Sequence, residues 1–278
     1  MIELPEARRL ADQMNEHLLG KTVRNVTTNK SPHKWAWFHG NPCDYPARLV
    51  RKTVTGTNAY GGMPELVLGD MRLVFCDGTN VRYYATGETL PEKHQLHIAF
   101  DDGSSLACSV QMYGALWLMD GTDADQGYYL SSKTKISPIS EENSKDYFLG
   151  LMNGVKQNYS IKAFLATEQR YPGLGNGVLQ DILFNAKVNP RRKLETLTKP
   201  EKDAVYKSVK RTLSHMLAAG GRDTEKDLFG VPCGYKTKLS AKTKDQPCPV
   251  CGAPITREAF LGGNVYYCPQ CQPKTGNG

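Results

Sequence analysis

The chain has 278 residues, 40% of them hydrophobic, and a formal net charge of +7. This length suits two domains with a small additional module. No apolar run approaches the roughly 18 residues that a membrane span requires. The first six residues carry an acid at position 3 and no apolar core, which argues against a secretory signal peptide. With cysteines that show no disulfide pattern outside one motif, the sequence predicts a cytoplasmic protein without membrane contact.

The positive charge is concentrated in one part of the chain. From Lys187 to the end there are 17 Lys and Arg against 8 Asp and Glu, whereas the first 186 residues hold 18 against 20. So uneven a charge favours a polyanionic partner, most simply a nucleic acid. The alternative is a lysine-rich surface that is merely solvated.

The first predicted element is a helix over residues 6–19, with Leu10, Met14 and Leu18 on one stripe and Gly20 at its end. From residue 22 to 119 the pattern changes to short β-prone runs separated by Gly, Asp and Asn. Seven strands are predicted, at 22–26, 66–68, 72–75, 80–84, 96–100, 105–109 and 115–119. Their number and spacing favour an antiparallel sandwich or flattened barrel.

Helical patterns occupy the second half of the chain. Residues 121–138 are polar and without periodicity, which predicts a linker. Helices are then predicted at 141–152, 161–168, 177–186 and 199–219. The last one opens with the capping-box pattern of Thr198 and Glu201. The predicted fold class is therefore α+β, in several domains.

Two C-x-x-C motifs lie near the C-terminus, separated by sixteen residues. Two residues between cysteines let both thiolates face one point, and two such turns make a tetrahedral S₄ site that suits Zn²⁺. The predicted ligands are Cys248, Cys251, Cys268 and Cys271. A closed Cys₄ site has no open coordination position, so one structural zinc is expected. Two disulfides or a chance pattern are the alternatives.

A second motif, Gly173-Leu-Gly-Asn176, precedes a predicted helix. Glycines allow a tight turn before the helix N-terminus, whose free N–H groups suit a phosphate. An ordinary helix–helix turn would have the same composition.

These stretches together resemble the formamidopyrimidine-DNA glycosylase and endonuclease VIII family. The first six residues resemble that family's Met-Pro-Glu-Leu-Pro-Glu, residues 91–94 match a stretch of its N-terminal domain, and 168–176 with 182–190 resemble its helix–two-turn–helix. The Cys₄ hairpin lies where the family has its zinc finger. The resemblance implies a glycosylase-like β-sandwich domain over 1–130, a helical DNA-binding domain over 138–235 and a zinc finger over 246–272.

The family's chemistry implies a set of catalytic residues at the N-terminus. There the amine of a proline at position 2 attacks C1′ of the damaged nucleotide. Here that position is Ile2, so the free amine is expected on Met1, displaced by one residue. Glu3 corresponds to the proton-handling carboxylate and Glu6 to the residue that organises the buried N-terminus. Both acids could instead be ordinary first-turn residues that favour the helix dipole.

The resemblance also implies DNA contacts, and it fails at two further positions. Lys162 and Asn176, with Gly173 and Gly175 of the turn, match phosphate-contacting positions; a solvent-facing lysine and an N-cap are the alternatives. Gln111 and Tyr113 match residues that fill the gap left by the flipped base, although Tyr113 could be a buried strand aromatic.

At the first of the two positions where the resemblance fails, Gly61 replaces the family's β-turn lysine, and Lys52 is the nearest lysine upstream. Gly263 replaces the arginine at the hairpin tip, and Arg257 is no obvious substitute.

Two functions follow for a monomer that binds damaged or abasic double-stranded DNA, at the nucleoid if the source is bacterial. The first is a DNA N-glycosylase with AP-lyase activity whose chemistry is altered by Ile2, Gly61 and Gly263. The second is a damaged-DNA-binding module that lost the reaction. A zinc-ribbon RNA-binding protein is a third hypothesis.

Trp35, Trp37 and Trp117 are interpreted as core or sandwich-edge residues. The lesion is not predicted.

Overall fold

A computed structural model describes residues 1–121 and 127–275 of the chain. It forms two compact units. Unit 1 comprises Met1–Tyr129 and Glu225–Cys233, and unit 2 comprises Leu130–Thr224 and Gly234–Gly278. Among the described residues, no helix is both long enough and apolar enough to cross a lipid bilayer.

Unit 1 contains one long helix and two β-sheets. Helix α1 (Leu4–Leu18) is followed by β1 (Val23–Thr28), β2 (Ala36–Phe38), α2 (Tyr45–Leu49), β3 (Val54–Tyr60), β4 (Met63–Leu68), β5 (Met71–Phe75), β6 (Thr79–Tyr84), β7 (Leu96–Phe100), β8 (Ser105–Val110) and β9 (Gly114–Met119). One sheet has the strand order β2-β9-β5-β4-β3 and the other β1-β7-β8-β6. All strand pairs are antiparallel except β2 with β9.

The core of unit 1 follows the alternation that the sequence shows. The stripe of Leu10, Met14 and Leu18 on α1 packs with inward residues of both sheets in one hydrophobic cluster. All seven predicted strands and the first helix are present, with bounds that differ by a few residues. Strands β2 and β3 were not predicted, because one has three residues and the other carries Gly56 and Asn58, which are rare in strands.

The interpretation of residues 121–138 as a linker is wrong in part. Helix α3 (Gly127–Thr134) occupies the middle of that range, and Tyr129 is fully buried. Its ring packs at 5.8 Å from that of Tyr60, which a local pattern does not reveal. Residues 122–126 lie outside the described part of the chain.

A short segment from late in the chain completes unit 1. Glu225–Cys233 lies within the range predicted as the helical domain, yet it belongs to the N-terminal unit. The buried Gln13 of α1 donates to Asp227 (2.9 Å) and accepts from the backbone N–H of Leu228 (2.9 Å). The Leu228 side chain lies in the core of unit 1. This segment therefore brings Glu225 to the N-terminus of the chain.

Unit 2 joins helices to a zinc-finger hairpin. Its elements are α4 (Lys145–Asn153), α5 (Ile161–Ala166), α6 (Asn176–Asn185), α7 (Lys199–Ala218), β10 (Thr256–Phe260) and β11 (Gly263–Tyr267). Ser144, Ser160 and Thr198 cap three of the helices through their hydroxyl groups. The four predicted helices are present, and the α+β fold class is confirmed.

Candidate functional site

The N-terminal amine lies in an acidic environment within unit 1. The Met1 nitrogen is 2.6 Å from Oε2 of Glu225, which is supplied by the late segment. The next side chain, Ile2, is buried in the hydrophobic core. Because Ile2 is anchored in this way, the structure holds the amine of Met1, not that of residue 2, beside the carboxylate. Sequence reasoning missed Glu225, since nothing local connects position 225 with position 1.

Glu3 and Glu6 are both buried at the start of α1. The backbone N–H of Glu3 donates to Oε2 of Glu6 over 3.1 Å. A buried carboxylate is costly without hydrogen-bond donors, and the free N–H groups of a helix start supply them. Glu6 therefore fixes the backbone that carries Glu3, while a proton-handling role for Glu3 stays a prediction.

A further acid, Asp77, lies beside these residues in the loop between β5 and β6. A methyl group at Gly62 would lie 3.1 Å from the carbonyl oxygen of Ile2 and 3.6 Å from Oδ1 of Asp77. Burial and the charge of Glu3 raise the pKa of Asp77 to about 6, although the nearby N-terminal amine lowers it. The sequence offered no specific signal for Asp77, because Cys76-Asp-Gly78 reads as an ordinary turn.

The β3–β4 turn carries no lysine at this site. Gly61 and Gly62 form a two-residue loop, and Gly61 has a φ of +58°. Lys52, the nearest lysine upstream in the sequence, lies at the other end of β3 from this turn. Its Nζ is 2.5 Å from Oδ1 of Asp70. Lys52 therefore does not stand in for the lysine that the family resemblance implies.

The loop of Gln111, Met112 and Tyr113, between β8 and β9, is exposed. The Tyr113 hydroxyl lies 3.8 Å from the sulfur of Met1, and burial with the charge of Asp77 raises its pKa. Since the residue is 39% exposed, Tyr113 is not a buried strand aromatic. The structure thus brings the loop, but not Lys52, to the N-terminus.

In unit 2 the predicted phosphate-contacting residues meet the zinc-finger hairpin. Lys162 is almost fully buried, and its Nζ donates to the carbonyl oxygen of Phe260 over 2.5 Å. Burial lowers the pKa of Lys162. Asn176 donates from Nδ2 to the carbonyl oxygen of Asn264 (2.7 Å), and among the described residues its buried Oδ1 has no hydrogen-bond partner. Lys162 is therefore not a solvent-facing lysine.

The glycines of the helix–helix turn have different conformations. Gly173 has a φ of +79°, which favours glycine, and it is buried. Gly175 is extended and forms the N-cap of α6. The turn therefore leads directly from the buried Gly173 into the first turn of α6.

Space for a side chain is limited at Gly263 of the hairpin. A methyl group there would lie 3.2 Å from Nδ2 of Asn176, so a side chain would press on the start of α6. The two-residue turn is Leu261-Gly262, with φ values of +49° and +74°. Two positive φ values are the mark of a type I′ turn, whose twist matches a hairpin. Leu261 is exposed, and its conformation is unfavourable for a residue with a Cβ.

The four cysteines of the C-x-x-C motifs converge on one point. Their sulfur atoms all lie within 4.8 Å of one another. The Sγ of Cys248 is 3.8 Å from that of Cys271, and the Sγ atoms of Cys251 and Cys268 are 3.4 Å apart. Tetrahedral zinc with Zn–S bonds of about 2.3 Å requires sulfur atoms about 3.8 Å apart. The donor set fits Zn²⁺.

Two family models match the chain. The model of the formamidopyrimidine-DNA glycosylase H2TH domain matches residues 136–227. The model described as a zinc finger found in FPG and IleRS matches residues 245–274, which include all four cysteines. The convergence of the four sulfur atoms and the match to a zinc-finger model confirm the prediction of one structural zinc. The two alternatives, disulfides and a chance pattern, are excluded.

Similar proteins cover the whole chain. The formamidopyrimidine-DNA glycosylase of Lactobacillus delbrueckii subsp. bulgaricus is 28% identical, over 99% of this chain and 100% of that protein. The enzyme of the same name from a Mycobacterium species is 27% identical, over 99% and 98%. The structure of Lactococcus lactis Fpg in complex with abasic-site DNA has a TM-score of 0.83 at 24% identity, and covers 98% of this chain and 100% of that one. The overall fold is the same.

Proposed function

The chain belongs to the formamidopyrimidine-DNA glycosylase family, and on that premise we propose that it is a base-excision-repair protein that binds damaged or abasic duplex DNA. The similar proteins named formamidopyrimidine-DNA glycosylase match this chain over nearly their full length. A similar structure contains DNA with an abasic site. The basic surplus from Lys187 onward and the N-terminus of α6 are suited to the DNA backbone. The active form is a monomer in the cytoplasm, at the nucleoid if the source is bacterial.

The leading proposal for its chemistry is an altered glycosylase with AP-lyase activity. The observation that carries it is the position of the Met1 amine among Glu3, Asp77 and Glu225. At an abasic site the nitrogen lone pair attacks the C1′ aldehyde. The addition product then loses water, and an imine remains. Carboxylates beside the amine accept the proton that nitrogen loses and return one to the leaving oxygen.

Strand cleavage would follow by elimination. A base removes a proton from C2′ of the imine, and the 3′ phosphate leaves with the bonding electrons. Glu3 and Asp77 are the carboxylates proposed to handle these protons. The raised pKa of Asp77, about 6, suits a group that exchanges protons near neutral pH.

The second candidate is a damaged-DNA-binding module without catalysis. It is favoured by the same ion pair, because the Met1 amine must leave its 2.6 Å contact with Glu225 before it can attack a substrate. Glycine at 61 and 263 also leaves the two family positions without their cationic side chains. Both candidates bind DNA. They differ only in whether the Met1 amine forms an imine with the abasic site.

Borohydride trapping separates the two candidates. The protein is mixed with an abasic-site duplex and sodium borohydride, and the products are resolved by denaturing electrophoresis and intact mass. A covalent adduct on the Met1 nitrogen supports the enzyme, and the mass also reports whether Met1 is retained. Tight binding without adduct or strand cleavage supports the module. Glu3→Gln is expected to abolish turnover and leave binding nearly unchanged, and Glu16→Gln on the same helix serves as the control.

A further inference from the structure

Two tryptophans of unit 1 lie side by side on the surface. Trp35 and Trp37 are 48% and 50% exposed, and their ring centroids are 6.0 Å apart at an interplanar angle of 60°. Neither is a core residue, so only the sandwich-edge interpretation holds for them. Large exposed aromatic pairs are uncommon on a protein surface without a binding role. Trp117, in contrast, is partly buried and packs on a hydrophobic cluster.

The segment that carries the pair is basic. No aspartate or glutamate occurs between residues 29 and 43, a stretch that holds Lys30, His33, Lys34 and His39. The Nζ of Lys34 lies 4.9 Å from the ring centroid of Trp35, a cation–π contact. Aromatic rings interleaved with cations suit a nucleic-acid strand with unstacked bases.

The backbone holds the pair rigidly. The N–H of Trp35 donates to Nδ1 of His33 (3.2 Å), and the N–H of Ala36 donates to the carbonyl oxygen of His33 (3.1 Å). Trp37 lies in β2, which pairs in parallel with β9. A platform fixed in advance loses little entropy when a base stacks on it.

The pair is continuous with the exposed loop of Gln111 and Tyr113. The carbonyl oxygen of Trp35 accepts from the N–H of Gly114 over 2.9 Å, directly after Tyr113. The loop and the tryptophan segment are therefore neighbours on unit 1. This continuity selects nucleic acid over a protein partner for the patch.

We propose that Trp35 and Trp37, with Lys34, form a stacking platform for unpaired bases of a single-stranded DNA segment next to the damaged duplex. The ligand is thus a short oligonucleotide stretch, bound through base faces and one or two phosphates without sequence preference. The inference rests on the proposed function for its DNA target and extends it to substrates with a single-stranded flank.

Binding to two matched duplexes tests this platform. One abasic duplex is blunt and the other carries a six-nucleotide thymidine overhang. The native protein is expected to bind the overhang duplex at least tenfold more tightly, and Trp35→Ala/Trp37→Ala to lose this gain while its affinity for the blunt duplex is unchanged. Phe229→Ala, an exposed aromatic elsewhere in unit 1, is the matched control and should keep the gain.

Fluorescence gives an independent readout. Oligothymidine should quench the emission of the native protein, and should leave that of Trp35→Phe/Trp37→Phe, in which only Trp117 emits, unchanged. Tight binding of the blunt duplex with no gain from the overhang and no quenching would overturn this inference alone. Failure to bind either duplex or the oligonucleotide would overturn the proposed function as well.

Discussion

Asn176 donates from Nδ2 to the backbone carbonyl of Asn264 over 2.7 Å, and this bond joins the first turn of α6 to the zinc-finger hairpin. Gln180, one turn later on α6, donates to the same carbonyl (3.0 Å) and accepts from the N–H of Tyr266 (3.0 Å). Lys162 of α5 adds a fourth bond to the hairpin, at Phe260. The helix–helix turn and the hairpin are therefore positioned by each other within unit 2.

The hairpin tip has one position that accepts a cation and one that does not. Leu261→Arg places a guanidinium on an exposed turn residue and should strengthen binding to abasic duplex about tenfold, with a steeper dependence on salt. Gly263→Arg should weaken binding or lower the melting temperature, because its Cβ would lie 3.2 Å from Asn176. Titrations at two salt concentrations and thermal unfolding of both variants check this. Equal gains from the two arginines would contradict it.

Zinc removal should loosen more than the zinc finger. Phe184 of α6 shares a hydrophobic cluster with Cys248, Cys268 and Tyr266, and Gln272 donates to the carbonyl of Val188 (3.0 Å). Removing the metal removes the binding free energy that keeps the zinc finger folded. The side of α6 that packs on the zinc finger should then become exposed. Hydrogen exchange with and without a chelator is the measurement, with zinc re-addition as the control. Protection that is unchanged around residues 184–188 would argue against this coupling.

The elements that local pattern encodes could be predicted, and those that depend on distant segments could not. The stripe on α1 and the spacing of the cysteines are each set by neighbours a few residues away. Glu225 reaches Met1 only because Asp227 and Leu228 are anchored by Gln13, more than 200 residues distant. Asp77 acquires its raised pKa from tertiary burial. Neither residue has a local signature, so of the three carboxylates placed around the amine only Glu3 could be predicted from the sequence.

The close approach of two loops makes Gly78 irreplaceable. Its φ is +80°, and a Cβ there would lie 1.6 Å from the carbonyl oxygen of Tyr113. Gly78→Ala should therefore destabilise unit 1 by about 3 kcal/mol or more, since backbone must move. Gly87→Ala is the matched control, because its φ is +86° with nothing within 4 Å; it should cost only about 1 kcal/mol. Denaturant unfolding of both variants measures the difference, and equal losses would show that φ alone matters.

From the raised pKa of Asp77 we expect the free energy of unfolding to decrease as the pH rises. Its pKa is raised from 3.8 to about 6 in the folded protein, so the folded state binds the proton more tightly. The favourable contribution is fully present below pH 3.8 and is lost as pH rises through 6. The loss is at most about 3 kcal/mol, from about 1.4 kcal/mol per pKa unit. Asp77→Asn cannot ionise, so it should be more stable than the native protein at pH 8.

The comparison of the two proteins at different pH values isolates this carboxyl from all other groups. Thermal unfolding at pH 4.5 and pH 8 gives the shift in melting temperature that the substitution causes. The shift should be only about a third as large at pH 4.5 as at pH 8, because the carboxyl of the unfolded chain is already mostly ionised at pH 4.5. At pH 8 it should reach several degrees, since 1 kcal/mol corresponds to roughly 2–4 °C at this chain length. Asp70→Asn is the control, because that exposed carboxylate is paired with Lys52 and its pKa is lowered. A shift for Asp77→Asn that is the same at both pH values would mean that the Asp77 carboxyl does not carry the raised pKa.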